Sequence, residues 1–390
     1  MRGALVAGVG MTPFKKYREV DVVQLGINAS IDAIRDSGIS KEEIQIIYCG
    51  HARTGSMHGR ECGVGQSIAW RLGILGVPIT AVGNFCSSGG SAFREAYVAV
   101  ASGMYEVAMA IGVEKMSSRA AKGKPLTSDG LGTMTSMGFT PPSYYAQVFT
   151  RYMYENGAKR ADFAQVAVKN RGNAVGNPYA QYRKAVTVDE VLNAPYIVEP
   201  ITMLSCCPTG DGGAAAVICS PEYAKKHGIK RTVSIAGVGE TSGDMGRKLD
   251  MLDFGSEKRA ARIAYEMAGI GPEDVNVAEV HDAFTPGEIM HYENLCFCKR
   301  GDGIRMLLDG ETRLTGRIAV NPSGGLLAKG HPLGATGLAQ VFELVSQLRG
   351  EADGRQVANP KIALAHCSGG FPESLELGEA QATSVIILKK

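Results

Sequence analysis

The sequence repeats itself, because short strings from the first half of the chain return in the second half. Three strings recur in the same order: ALVAGVG at residues 4–10 as VSIAGVG at 233–239, ISKEEIQII at 39–47 as IGPEDVNVA at 270–278, and VAMAIGV at 107–113 as IALAHCS at 362–368. The first two pairs are offset by 229 and 231 residues. One match between short apolar strings could be chance, but three in one order indicate a duplication. We therefore expect two similar halves.

Each half has the pattern strand, helix, strand, helix, strand. In the first half, the spacing of apolar residues predicts a helix at residues 21–37 that ends at Gly38, since glycine readily adopts a left-handed backbone. The other elements predicted in this half are strands at 46–48, 79–82, 107–113 and 214–219 and a helix at 89–102. Because helices separate the strands, we expect parallel pairing and a layered α/β fold.

A long segment between Lys115 and Thr209 has no counterpart in the second half. Inserts of this size often contribute to substrate binding. The units predicted are residues 1–116 with 207–228 as the first half, 117–206 as an inserted loop domain, with a helix at 160–171, and 229–390 as the second half. Each basic residue of the insert is individually best explained as part of a solvated face. The candidates for phosphate contacts are Arg151, Lys159, Arg160, Lys169, Arg171, Arg183 and Lys184.

Length and composition narrow the class of protein. With 390 residues, of which 45% are apolar, the chain can build two globular cores. A net charge of +2 gives no reason to expect nucleic acid or a membrane surface as the main partner. No apolar run reaches the length of a membrane span. The apolar stretch at the N-terminus ends at GMTP, which is too short for a signal peptide.

The cysteines indicate a reducing environment. There are nine, an odd number, and they are scattered without a disulfide framework, which predicts free thiols and a cytoplasmic location. They cluster only where Cys206 adjoins Cys207 and where Cys296 and Cys298 form a C-x-C pair. Neither cluster has the paired spacing of a zinc site, so no metal is predicted.

The segment GNFCSSGG at residues 83–90 is the strongest candidate for a reactive site. It connects a predicted strand to a predicted helix, so Cys86 should lie where backbone N–H groups converge. A helix N-terminus favours a thiolate and lowers the pKa of a thiol. The glycines are expected to let a substrate carbonyl approach the backbone closely. We interpret Cys86 as a nucleophile; the alternative is a buried structural cysteine in a strand–helix turn.

The second half supplies further motifs with candidate residues. They are HDAF at 281–284 after the strand-like residues 275–280, NPSGG at 321–325, GHPLGATG at 330–337, and HCSGG at 366–370. The glycine-rich loop GHPLGATG matches neither a P-loop nor the dinucleotide-binding fingerprint. A single histidine is more often structural than reactive. The histidines interpreted as structural only are His51, His58, His227 and His291.

Cys86, His281, His331 and Cys367 form a chemically consistent set. All four lie at predicted strand ends or in the loops that follow, in two halves related by duplication. That edge of an open α/β sheet is where ligands bind. A thiolate beside an imidazole is the arrangement for nucleophilic acyl transfer.

The order of these motifs resembles that of the thiolases. NFCSSGG, HDAF, NPSGGLLAKGHPLGATG and CSGG follow one another, and CPTGDGGAAAVICS at 207–220 is similar to the strand that closes the first half in that family. The pattern is most similar to the sterol-carrier-protein type and its archaeal and bacterial relatives, over nearly the whole chain. The resemblance implies a duplicated five-layered αβαβα fold with an inserted loop domain.

The resemblance also implies a role for the reactive side chains. Cys86 would carry the acyl group as a thioester, and His331 would accept the Cys86 proton and help to hold the thioester oxygen of the second substrate. Cys367 would move the proton at the α-carbon. That proton is weakly acidic, so the enolate must be stabilised while a base of suitable pKa removes it.

Two oxyanion holes are implied as well. The backbone N–H groups of Cys86 and Gly369 would form one of them, and such a hole contributes about 3 kcal/mol per donor. His281 would serve the second, either directly or through an oriented water. Asn321 and Gly325 complete the implied oxyanion and substrate-binding set.

The implied reaction splits or joins 3-oxoacyl-CoA thioesters. Acetoacetyl-CoA is the commonest substrate in the family, and bulkier or aromatic ones such as 2-benzoylsuccinyl-CoA occur in bacterial members of this branch. CoA is a substrate, and no other cofactor is implied. The resemblance further implies a homodimer with residues 79–86 near the interface. Some relatives bind a small zinc-ribbon and OB-fold subunit that helps to bind CoA.

The motifs leave other interpretations open. Ala283 stands where many sterol-carrier-type thiolases have a cysteine, whereas Cys367 matches the general thiolases. Aldolase relatives lack the nucleophilic cysteine, so Cys86 argues against a retro-aldol enzyme. Cys86 with His281 and His331 is also the set used by decarboxylating ketosynthases. The third interpretation is a non-catalytic acyl-CoA-binding subunit.

Overall fold

A computed structural model describes residues 2–60, 62–117, 139–244, 250–370 and 380–390. The first part of the predicted insert, residues 118–138, lies outside these ranges. Among the described residues, no helix is long and apolar enough to cross a membrane.

Ten of the twelve described strands form one sheet, in the order β10-β9-β11-β12-β8-β1-β7-β4-β2-β3, and β5 and β6 form a separate hairpin. The strands are β1 Leu5–Met11, β2 Ile46–Gly50, β3 Ile79–Val82, β4 Val107–Lys115, β5 Tyr196–Val198, β6 Ile201–Thr202, β7 Asp211–Cys219, β8 Val233–Thr241, β9 Val277–Glu279, β10 Ala319–Val320, β11 Ile362–Gly369 and β12 Ala382–Lys389.

Helices connect most of these strands, and every helix and strand predicted above is present with small shifts at its ends. The described helices are α1 Val22–Ser37, α2 Thr54–His58, α3 Val64–Leu72, α4 Ser88–Ala101, α5 Pro141–Asn156, α6 Arg160–Asn173, α7 Val188–Leu192, α8 Pro221–His227, α9 Gly255–Ala268, α10 Thr285–Asn294, α11 Gly303–Leu308, α12 Gly325–Ala328 and α13 Thr336–Arg349. Helix α1 shows how the local sequence sets these limits. Asp21 caps its first turn by accepting from the Gln24 N–H, and Gly38 ends it at φ 66°.

The two halves have the same strand order and the same strand directions. In the first half β3, β2 and β4 run parallel, β7 pairs antiparallel with β4, and β1 pairs antiparallel with β7, so that β7 alone is reversed. In the second half β10, β9, β11, β12 and β8 repeat that arrangement. The halves join where β1 and β8 pair antiparallel at two positions. The sequence therefore predicted the duplication correctly. The expectation of parallel pairing was wrong for the last strand of each half, which returns antiparallel between the first strand and the parallel strands.

Five layers stack around the two half-sheets. Helices α1 and α3 cover the outer face of the first half-sheet. Helices α4 and α13 pack against each other in the middle, where they share a core with strands of both halves. Helices α9 and α10 cover the second half-sheet, and the inserted helices α5 and α6 pack against α10 on that side. The αβαβα arrangement is the one that the sequence predicted.

The repeated G-V-G string has a packing reason in both halves. A Cβ added at Gly10 would lie 2.2 Å from the Ala29 carbonyl oxygen of α1, and a Cβ at Gly239 would lie 2.0 Å from the Ala260 carbonyl oxygen of α9. Strand and helix backbones therefore touch in each half at a distance that only glycine allows. The duplication is visible in sequence because this contact is needed twice.

This contact predicts that Gly239→Ala destabilises the protein by about 3 kcal/mol, since helix backbone must move to admit one methyl group. Gly172→Ala is the matched control, because Gly172 is exposed on α6 and an added Cβ would meet nothing within 4 Å. That variant should be as stable as the parent or slightly more so. Urea unfolding of the two variants measures the difference, and equal stability of both would contradict the packing account.

Candidate active site

Cys86 lies in a tight turn between β3 and α4. The turn spans Phe85–Ser87, and Phe85 has a positive φ of 49°, which is uncommon for an aromatic residue. The Asn84 N–H donates to the Ser88 hydroxyl oxygen (2.9 Å), and that hydroxyl donates to the Phe85 carbonyl (2.6 Å). These short-range bonds hold the strained turn and present the Cys86 side chain to a cavity.

The glycines of NFCSSGG serve packing rather than substrate access. A Cβ at Gly89 would lie 2.7 Å from the Gly334 carbonyl oxygen, and one at Gly337 would lie 2.4 Å from the Gly90 nitrogen. The two glycine-rich motifs therefore interlock backbone against backbone. The expectation that the glycines admit a substrate carbonyl was wrong for Gly89 and Gly90, because the 330–337 loop and Ser384 fill the space beside them, whereas Gly83 lines the cavity.

The packing of these two motifs brings the four predicted side chains together. The Cys86 sulfur and a ring nitrogen each from His281 and His331 lie within 4.8 Å of one another, and the two rings meet edge-on at 5.0 Å. The Cys367 thiol donates to the Cys86 carbonyl oxygen (3.0 Å), and its sulfur lies 3.5 Å from His281 Nδ1. Two thiols and two imidazoles from both halves thus share one site.

The hydrogen bonds around His331 fix its tautomer. The Thr336 hydroxyl donates its single hydrogen to the Pro332 carbonyl (2.9 Å), so at 2.8 Å from His331 Nδ1 it can only accept. His331 therefore carries its hydrogen on Nδ1, and Nε2 is free to accept a proton. Burial lowers the pKa of His331 to about 3, which keeps the ring neutral.

Both thiols are neutral in the resting site. Burial, with a smaller contribution from Glu114, raises the pKa of Cys86 to about 12, although the N–H groups of Cys86 and Gly370 act in the opposite direction. Burial and Cys86 raise the pKa of Cys367 well above its ordinary value. The expectation that the helix N-terminus lowers the thiol pKa was therefore wrong, because loss of hydration outweighs the backbone dipoles here.

The Gly370 N–H group faces the Cys86 thiol from beyond the end of β11. The Gly370 N–H and the N–H of Cys86 itself are the backbone donors that favour the thiolate. Gly369 packs beside them, since an added Cβ would lie 3.1 Å from the Cys86 nitrogen and 2.4 Å from the Asn84 carbonyl oxygen. Gly370 is therefore a further backbone donor at this site, and the oxyanion role of Gly369 stays a prediction.

Asn321 and Gly325 lie outside the cavity wall. The Asn321 amide donates to Glu288 (2.6 Å) and accepts from the Val280 N–H (2.9 Å), so the side chain is fully engaged in the core. A Cβ at Gly325 would lie 2.2 Å from the Asp282 carboxylate. Both residues shape the backbone behind His281, and the prediction that they bind substrate stays a prediction.

The basic residues of the insert are likewise absent from the cavity wall in the described part of the chain. The Lys169 side chain is 7% exposed, pairs with Glu288 (2.9 Å) and donates to the Val320 carbonyl (2.8 Å), so it ties the insert to the second half. Arg171 is buried and lies over the Tyr182 ring within the insert.

Aromatic side chains form much of the wall of the cavity in front of Cys86, which has a volume of about 490 Å³. Tyr145 stacks on Phe284 with ring centres 4.6 Å apart and meets Tyr144 edge-on at 5.4 Å. The other aromatic wall residues are Phe85 and Phe254. A wall of this kind suits a large or flat apolar group.

Sequence reasoning missed several residues at this site. Tyr144 and Tyr145 come from the insert, which is so rich in tyrosine that its composition does not single out these two. Glu257 and Ser368 also line the cavity. The sequence around Glu257 does not mark it as a site residue, because a glutamate in SEKRAAR is typical of an exposed helix face.

Fold and site together define an acyltransferase with two thiols and two imidazoles at its centre. Two family descriptions match the sequence: "Thiolase, N-terminal domain" over residues 4–222 and "Thiolase C-terminal domain-like" over residues 237–379. The chain belongs to the thiolase family, as its motifs predicted.

Curated relatives match along almost the whole chain. The chain is 38% identical to "Benzoylsuccinyl-CoA thiolase subunit BbsB" of Thauera aromatica over 386 residues, which is 98% of each protein. It is 38% identical to an acetyl-CoA acetyltransferase of Methanothermobacter thermautotrophicus, covering 95% of this chain and 97% of the relative. It is 34% identical to sterol carrier protein 2 of Bos taurus, covering 97% and 74%. The relatives thus include both branches that the motifs indicated.

Solved structures confirm the fold. "Ltp2-ChsH2(DUF35) aldolase" superposes with a TM-score of 0.83 at 26% identity, covering 99% of this chain and 97% of that one. Human mitochondrial 3-ketoacyl-CoA thiolase in complex with CoA superposes with a TM-score of 0.74 at 20% identity, covering 100% and 98%.

The raised pKa of Cys86 predicts how its alkylation depends on pH. Because the thiol pKa is about 12, the thiolate fraction should rise about tenfold per pH unit across pH 7–10 without levelling off. Iodoacetamide labelling of Cys86, followed by peptide mass spectrometry, measures the rate. Free cysteine is the reference and should level off above its ordinary pKa of about 8.5. A plateau for Cys86 below pH 9 would contradict the neutral resting thiol.

Proposed function

We propose that this protein is a CoA-dependent thiolase that cleaves or forms a 3-oxoacyl-CoA through an acyl thioester on Cys86. The observation that carries the proposal is the meeting of Cys86 and Cys367 with His281 and His331 in one cavity. A nucleophilic thiol with a proton acceptor transfers acyl groups, and a second thiol supplies the acid or base that carbon–carbon bond cleavage needs.

The groups have complementary tasks in the cleavage direction. Cys86 gives its proton to His331 Nε2 as its sulfur attacks the 3-oxo carbon. The bond between C2 and C3 then breaks, and its electron pair stays on C2 as the enolate of the shortened thioester. Cys367 delivers its proton to C2, while the N–H groups of Cys86 and Gly370 hold the acyl oxygen on the enzyme. The shortened thioester then leaves, and free CoA attacks the acyl group on Cys86. The proton of the CoA thiol passes to the Cys367 thiolate, and the released Cys86 sulfur takes its proton back from His331, which restores the resting site.

The cavity favours an acyl group larger than acetyl. Five aromatic rings and a volume of about 490 Å³ exceed what an acetyl group can fill. An aromatic 3-oxoacyl-CoA is therefore the proposed substrate class, and acetoacetyl-CoA is the smaller alternative. The relative named benzoylsuccinyl-CoA thiolase subunit supports an aromatic substrate. In this mechanism CoA is a substrate and no resident cofactor takes part.

The second thiol separates this proposal from the alternatives. A decarboxylating ketosynthase forms its enolate by loss of CO₂ and needs no α-proton base, whereas Cys367 sits 3.5 Å from His281 Nδ1 where such a base is useful. A binding subunit would need neither thiol. One of the similar solved structures is called an aldolase, but in this chain Cys86 offers a nucleophile that a retro-aldol reaction does not use.

We further propose a cytoplasmic homodimer that assembles through β3. Strand β3 is the edge of the sheet, with Thr80 and Ala81 exposed, and beside it Trp70 and Leu75 are 72% and 68% exposed. Exposed apolar side chains next to a free strand edge are typical of an interface. Light scattering should show that the parent protein is a dimer and that the Trp70→Glu variant is a monomer. A monomeric parent would contradict the interface.

We also propose a small partner subunit, since one relative is called a subunit and the name of one similar structure has two components.

Two substitutions test the division of labour between the thiols. Cys86→Ala should abolish the acyl adduct and all turnover. Cys367→Ala should still form the adduct but lose turnover and deuterium exchange at the α-carbon of acetyl-CoA by about a hundredfold or more, because it removes the acid–base group. Mass spectrometry locates the adduct and proton NMR follows the exchange.

The control variant is Cys62→Ala, which changes an exposed cysteine and should leave both partial reactions intact. An adduct on a cysteine other than Cys86 would overturn the nucleophile. Exchange at the parental rate in Cys367→Ala would move the proton step to His281 or another group.

A further inference from the structure

Behind the cavity wall lies a cluster of three buried groups that the proposed reaction does not use. Glu257, His291 and His366 are each at most 1% exposed, and their polar atoms lie within 4.8 Å of one another. They come from α9, α10 and β11, so the cluster joins three elements of the second half. Glu257 is also part of the cavity wall.

The Glu257 carboxylate is ionised in this cluster. Burial alone would raise its pKa, but the charges and hydrogen bonds of His291 and His366 outweigh burial and hold the pKa well below its ordinary value. Glu257 also lies in the first turn of α9, where the helix dipole favours a negative charge.

His291 links Glu257 to the backbone of His281. Its Nε2 lies 2.8 Å from the His281 carbonyl oxygen, which can only accept, so Nε2 donates. Its Nδ1 lies 2.9 Å from a carboxylate oxygen of Glu257. One buried imidazole therefore connects the Glu257 carboxylate with the residue that faces Cys367.

The two carboxylate oxygens of Glu257 bind different partners. One accepts from the Ser368 hydroxyl (2.7 Å), and Ser368 follows Cys367 in the chain. The other binds His291, which in turn holds the backbone of His281. We propose that Glu257 is a positioning residue for the Cys367–His281 pair, because one carboxylate fixes the backbone beside both partners of that 3.5 Å contact.

The side chains that acylate the enzyme have supports of their own, apart from this cluster. His331 is oriented by Thr336, and Cys86 by the turn that Ser88 holds. Loss of Glu257 should therefore impair the α-proton step and spare acyl transfer to Cys86. A purely structural role predicts no such split, since a general loosening of the site affects both steps. The inference rests on the proposed function for these two readouts.

The test compares Glu257→Gln, Ser368→Ala and the matched control Glu266→Gln. Glu266 is on the same helix, exposed, and pairs only weakly with Arg262 (3.4 Å). Two rates are measured with acetyl-CoA as the probe: acylation of Cys86 by quenched mass spectrometry, and deuterium exchange at the α-carbon by NMR. Circular dichroism and urea unfolding verify the fold.

Glu257→Gln should lower α-proton exchange by at least about tenfold, the scale of a small misplacement of reacting groups, while acylation of Cys86 stays within about threefold. Ser368→Ala should give the same split with a smaller factor, and Glu266→Gln should change neither rate. If Glu257→Gln fails to fold, Ser368→Ala decides. Equal losses in both rates, or unchanged exchange, would overturn the proposal.

A readout without substrate separates this inference from the proposed function. The rate of iodoacetamide labelling at Cys367, relative to Cys86, should change at least about threefold in Glu257→Gln, because Cys367 and His281 lose the support of the carboxylate while the turn that holds Cys86 keeps its own hydrogen bonds. If the parent neither acylates nor exchanges, the proposed function fails and the labelling ratio alone decides about positioning. An unchanged ratio would contradict the positioning role.

Discussion

The active site depends on one contact: the backbone of the Cys86 turn and α4 against the backbone of the 330–337 loop. Gly89 and Gly90 on one side meet Gly334 and Gly337 on the other at distances that leave no room for a Cβ. The contact lies in the middle helical layer, between α4 and α13. Because one motif belongs to each half, the duplication is what places a nucleophile beside a proton acceptor.

Around this contact, the protein keeps the reacting groups neutral and the supporting groups charged. Burial raises the pKa of Cys86 and lowers that of His331, so the resting pair holds no charge that would need solvation. The charged groups lie behind the cavity wall: they are the Glu257 carboxylate, whose pKa is held low, and the buried Lys329–Glu279 ion pair at 2.9 Å. Buried ion pairs contribute little net stability, so their value here is orientation.

The features that could be predicted from the sequence are those that a few neighbouring residues determine. Cys86, His331 and Cys367 could be predicted because each lies in a turn or strand end rich in small residues, which restricts what the local chain can do. The G-V-G repeat revealed the duplication because the strand–helix contact at Gly10 and Gly239 excludes every side chain. These constraints act within a few residues and leave a direct trace in sequence.

The rest depends on neighbours that are distant in the chain. The antiparallel return of β7 and β12 has no local signature, since the strands look alike in either direction. Asn321 is polar and precedes a glycine-rich loop, yet Glu288 engages it in the core. Burial of the Cys86 thiol, which reverses the expected pKa shift, is a property of the assembled cavity.

We propose that the two thiols, Cys86 and Cys367, make this site a thiolase rather than a decarboxylating enzyme. One preparation should be assayed with an aromatic 3-oxoacyl-CoA plus free CoA and, separately, with malonyl-CoA. We expect cleavage of the 3-oxoacyl-CoA that requires free CoA, and no release of CO₂ from malonyl-CoA. Decarboxylation of malonyl-CoA that persists in Cys367→Ala, without thiolytic cleavage in the parent, would contradict it.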